Sequence, residues 1–445
     1  MKNFLFVFCL LISCSTLWSQ TATTNINYSL SNEANTLKNG SPADVNVSAE
    51  RLDLIDQHIQ SYIEAGHVPG GVFLLSRNGK IIYNKAFGQQ TNKADKPYQK
   101  DNIFRLASMT KAFTTVAIMQ LVESGKLRLD DPVFYYIPSF KNSQVLTDYT
   151  AADTTYTTVP AQSPITIRQL LTHTSGITYG TFNPGKIEAI YTKMGAANFG
   201  LANPQMTTAE MVDQIAKLPL IFQPGDRYLY GLNMEVLGRV VEVISQQPLN
   251  QYFKQHIFEP LDMKATGFYL PKETHSRLVP AYTYNQKGEI IMAADTDFGQ
   301  IEGYPTWPDN NHYAGGGGAS GSTMDYAVFI QMLLNGGVYN GKRIISRKSI
   351  DVMTSDQLVV QNAAGKGRNE GLGRTMGLGF GVTLDAGQAT SYKSPGTFEW
   401  GGYFNTKYFI DPSEDLIFVG MTQIVPFQRP DFWDKLYALI YSSLE

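Results

Sequence analysis

The sequence predicts an α/β chain of the α+β kind: one antiparallel sheet assembled from both chain ends, with flanking helices and an inserted, mostly helical part. Three observations point there. Strand-like runs joined by tight-turn signals lie near both termini, and helical periodicity dominates the middle. The chain is also long and apolar enough to bury a large core, with 445 residues of which 43% are hydrophobic and 17% charged. A disordered chain and a small disulfide scaffold are excluded by the same figures.

In chain order, residues 1–20 come first, with Lys2, the apolar run FLFVFCLLIS and a small-residue exit. They read as a signal peptide that sends the protein to the periplasm or beyond, and they are too short for a good transmembrane helix. Leu11-Ile12-Ser13-Cys14 also resembles a bacterial lipobox, which would make Cys14 a lipid anchor; the apolar Leu17-Trp18 beyond it favours ordinary cleavage near Ser19 or Gln20. Residues 21–46, rich in Thr, Asn and Ser without periodicity, read as a flexible linker. The folded domain is then 47–445, its sheet part about 47–107 and 315–445 and its helical part about 108–314.

Within it, Leu52, Ile55, Ile59, Tyr62 and Ile63 recur at helical spacing over 49–64, with Gly66 as a stop. GVFLLSRNGKIIYNKAFG gives two strands turning at Asn78-Gly79, and TKYFI (406–410) and LIFVGM (416–421) flank the turn DPSED near the other end. FWDKLYALI (432–440) closes the chain as an apolar helix. Between these ends helices are predicted over 110–123, 166–172, 207–216, 233–245 and 324–335, with capping-box spacing at Thr166/Gln169 and Ser322/Asp325. The polar, Thr-rich stretch 144–162 reads as a long connection of the kind that forms lids.

Composition narrows the function. The formal charge is −3 with no Lys/Arg run, so no nucleic-acid partner is expected. Both cysteines, Cys9 and Cys14, lie in the leader, which excludes thiol catalysis, disulfides and Cys-bearing metal sites from the body. The six histidines show no metal spacing, so neither metal nor cofactor is expected. Gly336 to Lys342 imitates a phosphate loop, but Arg343 replaces the Ser/Thr that would hold magnesium. No Gly-x-Ser-x-Gly occurs.

One motif carries chemistry. Ser108-Met109-Thr110-Lys111 opens an apolar helix, so the hydroxyl and the amine three residues on share a face. A serine needs a nearby base, and a lysine desolvated at a helix N-terminus becomes one. Ser-x-x-Lys alone is weak, but PITIRQLLTHTSGI (164–177), QPGDRYLYGLNMEVLGRVVEVI (223–244), GGGGASGSTMDYAVFIQMLLNGG (315–337) and WGGYFNTKYFIDP (400–412) follow it in order. With them the chain, from about residue 50 onward, resembles the serine β-lactamase-like family, in particular class C β-lactamases and family VIII carboxylesterases.

The resemblance implies the β-lactamase/transpeptidase-like fold and a role for each matching residue. Ser108 matches the family's nucleophile, Lys111 its partner base, and Tyr230 the tyrosine of its Tyr-x-Asn motif. Trp400-Gly401-Gly402 matches the Lys-Thr-Gly strand motif, and the amides of Ser108 and Tyr403 match the oxyanion hole. Two departures bear on substrate binding. Leu232 stands where class C enzymes have an amide that binds the acylamide of a β-lactam, a loss of about 1 kcal/mol. Trp400 stands where they have a lysine, a loss of ~1 to 4 kcal/mol for a carboxylate-bearing substrate. Both departures match the family VIII carboxylesterases, so a small-molecule ester is the expected substrate, with β-lactam or D-amino-acid peptide hydrolysis, or an idle ligand-binding module, as alternatives. His173 reads as structural, His312 as structural or as lining the cleft, and Gly315 to Gly318 as a place of close backbone approach.

Overall fold

The computed structural model describes residues 36–90, 96–150, 152–180, 185–196, 200–201, 205–294, 303–309, 311–358 and 373–445. The expected signal peptide, the Cys14 lipid site and most of the expected linker lie outside these residues.

Eight strands form the main sheet: β1 (Lys38–Asn39), β2 (Gly70–Arg77), β3 (Lys80–Gly88), β4 (Arg374–Met376), β5 (Gly381–Thr383), β6 (Phe398–Gly402), β7 (Thr406–Asp411) and β8 (Leu416–Met421). Their order is β1-β3-β2-β8-β7-β6-β5-β4, so the N-terminal hairpin joins the C-terminal strands through β2 and β8. All pairs are antiparallel except β1 with β3. That exception corrects the linker reading for its described part, residues 36–46. Lys38 and Asn39 pair with Lys80 and Ile81, and the turn Pro42–Val45 buries Val45. A two-residue edge strand is held by backbone pairing, which polar composition does not reveal.

Helices cover both faces. Val72 and Leu74 of β2 enter the larger core, while Phe73 and Leu75 enter a second core with α1 (Ala49–Glu64) and the closing helix Asp431–Ser442. This is the period-two alternation of a strand buried on both sides. On the larger-core face lie α2 (Thr110–Glu123), α3 (Asn233–Ser245) and α4 (Thr323–Leu334). Every residue of α2 from Thr110 to Met119 is buried, as expected of a helix apolar all round. Its threonines close bonds inside the core: Thr114 Oγ1 donates to Gly315 O at 2.6 Å and Thr115 Oγ1 to Lys111 O at 2.9 Å.

The expected helices at 166–172 and 207–216 appear as Ile167–Leu171 and Thr208–Ile215. Thr166 and Gln169 close the expected capping box, while at the second Ser322 Oγ accepts from Asp325 N at 3.2 Å and the Asp325 carboxylate accepts from Ala265 N and Thr266 Oγ1. The stretch 144–162 is not an irregular connection. It forms an antiparallel hairpin, Gln144–Thr150 with Thr155–Pro160, tied to the helical part by Leu146 N donating to Leu220 O at 2.8 Å. Alternate Thr and Tyr side chains suit a pleated, half-exposed ribbon.

Candidate active site

Ser108 sits in a single 3-10 turn, Ala107–Met109, that leads into α2. Ala107 adopts φ 44°, a left-handed conformation that costs a β-carbon-bearing residue about 1 kcal/mol or more. The surroundings hold it there: Leu106 N donates to Ala319 O at 2.9 Å, Ala319 N to Thr110 Oγ1 at 3.0 Å and Tyr326 OH to Met109 O at 3.0 Å. The turn aims Ser108 Oγ at two groups. It accepts from Lys111 Nζ at 3.2 Å and from Tyr230 OH at 2.7 Å.

Tyr230 is placed by a buried scaffold. His173 O accepts from Leu229 N at 2.8 Å, and His173 Nδ1 faces Asn233 Nδ2 at 2.9 Å and Gly231 N at 3.4 Å. With two donors at Nδ1, His173 carries its proton on Nε2; burial, and then the charge of Lys111, hold it well below the usual histidine range. Its ring lies 4.8 Å from that of Tyr230. A β-carbon on Gly231 would come within 2.1 Å of Ile177 O, so the chain next to Tyr230 has no room for a side chain. Leu232 departs from expectation. It is 1% exposed and packs in the larger core rather than lining the cleft beside Ser108.

A cleft of about 680 Å³ runs from Ser108 and Tyr230 along the end of β6. Trp400 forms a wall on the Ser108 side, 5.7 Å from Tyr230 ring to ring. Gly402 packs against the Ser108 turn, where an added β-carbon would lie 2.3 Å from Leu106 O. Tyr403 follows at the cleft mouth, 41% exposed. Gly401 points the other way from Trp400 and Gly402, toward a part of the same cleft that Lys407 lines: a β-carbon there would lie 2.8 Å from Lys407 Cδ and 3.0 Å from Lys407 Nζ. Beyond it the partly buried Glu399 pairs with the buried Lys393, with Arg374 Nη1 3.5 Å away. Three cations therefore surround one carboxylate on this wall.

The β-lactamase family model matches residues 55–441. The chain belongs to the β-lactamase family. Protein Rv1367c of Mycobacterium tuberculosis is 33% identical over 84% of this chain and 90% of its own length, and lovastatin esterase of Penicillium rubens is 28% identical over 83% and 92%. The solved structure of EstCE1, a hydrolase with promiscuous acyltransferase activity, superposes with a TM-score of 0.74 at 26% identity, covering 88% of this chain and 98% of that one. The protein is thus a serine hydrolase of the β-lactamase family.

Two residues of this site escaped the sequence reading. Tyr179 OH lies 3.3 Å from Lys111 Nζ, with its ring 5.4 Å from that of Tyr230; burial, the facing Tyr230 and Glu235 push its phenol well above the usual tyrosine range. Glu235, in the first turn of α3, is wholly buried, and its Oε1 accepts from Gly316 N at 3.0 Å. A charge inside an apolar helical run, NMEVLG, is the signal that would have found it. His312 lines no part of the cleft: it is 2% exposed and faces Met206 O with Nδ1 at 3.1 Å. Among the described residues no cluster of three or more His, Cys, Asp and Glu could hold a metal ion, and no helix is long and apolar enough to cross a membrane. Chemically, a hydroxyl held between an amine and a phenol can lose its proton as it attacks a carbonyl and have it delivered to a leaving group.

Proposed function

We propose that the protein hydrolyses short-chain carboxylic esters through an acyl-enzyme on Ser108. The observation that carries this reading is Ser108 Oγ within hydrogen-bond reach of both Lys111 Nζ and Tyr230 OH on the floor of an open cleft. In this reading Lys111 and Tyr230 take the serine proton and pass it to the leaving alkoxide; water then attacks the acyl-enzyme by the same route in reverse. The amides of Ser108 and Tyr403 stabilise the oxyanion, and the indole of Trp400 gives the acyl group an apolar wall. The leader favours export of the protein.

A second reading draws on Lys407. It has no hydrogen bond or ion pair among the described residues and lies over Gly401 beside Arg374 and Lys393, so this wall has more positive than negative charge. Such a wall favours a substrate with a carboxylate, as in a D-amino-acid peptide or a β-lactam. Purified protein assayed on p-nitrophenyl esters, nitrocefin, benzylpenicillin and a D-Ala-D-Ala peptide separates the two. Short-chain esters should exceed benzylpenicillin by at least about a hundredfold in kcat/KM. Parity or the reverse order would overturn the ester reading. A fluorophosphonate probe should label Ser108, and Ser108→Ala should lose both labelling and turnover; persistent labelling in the variant would refute the choice of nucleophile.

A further inference from the structure

Lys111 is 1% exposed, and its ammonium has three donors with three acceptors: Gly316 O at 2.7 Å, Ser108 Oγ at 3.2 Å and Tyr179 OH at 3.3 Å. None of these carries the negative charge that a buried cation needs. The nearest carboxylate is reached through one peptide unit. Gly316 donates its N–H to Glu235 Oε1 at 3.0 Å and offers its C=O to Lys111. A β-carbon on Gly316 would fall 2.4 Å from Glu235 Oε1 and 3.3 Å from Lys111 Nζ, so the glycine lets acid and amine close on either side of it. The other carboxylate oxygen, Oε2, is buried without a hydrogen-bond partner among the described residues.

We propose that Glu235 is a positioning residue of this site, which through the Gly316 peptide fixes both the place of Lys111 and its charge state. The inference rests on Ser108 being the nucleophile and Lys111 its base. The carboxylate holds Gly316 so that its carbonyl grips Nζ, and its negative charge favours the ammonium form. Burial pushes the Glu235 carboxyl up to about 7, against the charge of Lys111 and the amides of Gly316 and Gly315. The other titratable groups facing this pair are phenols and one neutral imidazole. Tyr179 and Tyr304 feel the charge of Glu235, Tyr230 faces Lys111 with its ring centroid 4.9 Å from Nζ, and His173 is held neutral beside Lys111. Glu235 is therefore the carboxylate that acts on Lys111 across Gly316, and the acid side of the labelling profile should respond to its charge.

The test is the rate of Ser108 labelling by a fluorophosphonate as a function of pH, which reads nucleophile activation whatever the natural substrate is. Glu235→Gln keeps an oxygen for Gly316 N–H and removes the charge. Its acidic limb should move to lower pH by at least about one unit, while Glu235→Asp should keep the wild-type limb. A limb that stays in place in a folded Glu235→Gln protein, even with a lower rate, would show that Glu235 is structural only. Should that variant fail to fold, the reciprocal measurement applies: in Lys111→Met, the infrared band of the protonated Glu235 carboxyl should persist to higher pH than in wild type. An unchanged band would overturn the proposal. Absence of wild-type labelling would instead refute the Ser108 reading, and normal labelling without ester turnover would refute only the substrate.

Discussion

At Ser108, two proton-handling groups of different chemistry meet one hydroxyl, and removing either should be read in kcat rather than in stability. Lys111→Ala and Tyr230→Phe should each lower kcat by ~10²-fold or more. Lys111→Arg should fail as well, because a guanidinium stays protonated and cannot serve as a base. Near-normal turnover by the arginine variant would leave the lysine an electrostatic role only. Lys407 offers a second test on substrate choice. Lys407→Met keeps the aliphatic stem over Gly401, so kcat/KM for mono-p-nitrophenyl glutarate relative to p-nitrophenyl butyrate should fall about tenfold if this cation meets a carboxylate. An unchanged ratio would remove Lys407 from substrate recognition. Ser108, Lys111 and Tyr230 were legible because each sits in a short segment with its own sequence signature. Tyr179 and Glu235 were not, since each reaches the site through contacts made only after distant segments pack, whereas Lys407 lies opposite Gly401 in a local hairpin. The burial of Leu232 was not legible for the same reason: alignment to a motif places a residue in order, and the burial of its side chain is a tertiary outcome.

The elements that aim these residues are a strained turn before α2 and a glycine-bearing turn before α3. In the second, Gly231 has no space for a β-carbon beside Ile177 O. Gly231→Ala should therefore displace the chain at Tyr230, lowering stability by about 1–3 kcal/mol and kcat more than KM. Chemical denaturation and steady-state kinetics check both parts; an alanine variant with wild-type kcat would show that the turn has slack. The helices and the two hairpins at the chain ends could be read from periodicity and from turns such as Asn78-Gly79, because local preference and tertiary need agree there. The pair Lys38–Asn39 and the hairpin from Gln144 to Pro160 could not. Both are polar strands whose pairing partners, rather than their own composition, decide their structure.

Across the whole molecule, the cost of burying titratable groups should appear in the pH dependence of stability. His312 is held neutral by burial, its imidazole pushed down to about 4 from the ordinary 6.5, and His173 shifts in the same direction. A base whose folded value is depressed contributes stability above its unfolded value and loses it as pH falls toward the folded one. For His312 the window runs from 6.5 down to about 4, and the shift corresponds to about 3 kcal/mol. Glu235 works in the opposite sense. Its raised carboxyl favours the fold most below 4.5, and that contribution is lost as pH rises through about 7. Acid destabilisation should accordingly begin near the histidine range. His312→Asn retains a donor for Met206 O and removes the titration, so its stability deficit relative to wild type should narrow by about 3 kcal/mol between pH ~6.5 and ~4. Urea unfolding of both proteins across that range measures the gap directly. Parallel curves would mean that His312 is protonated in the folded protein as readily as in the unfolded chain, and burial of its ring would then have to be relieved by acid.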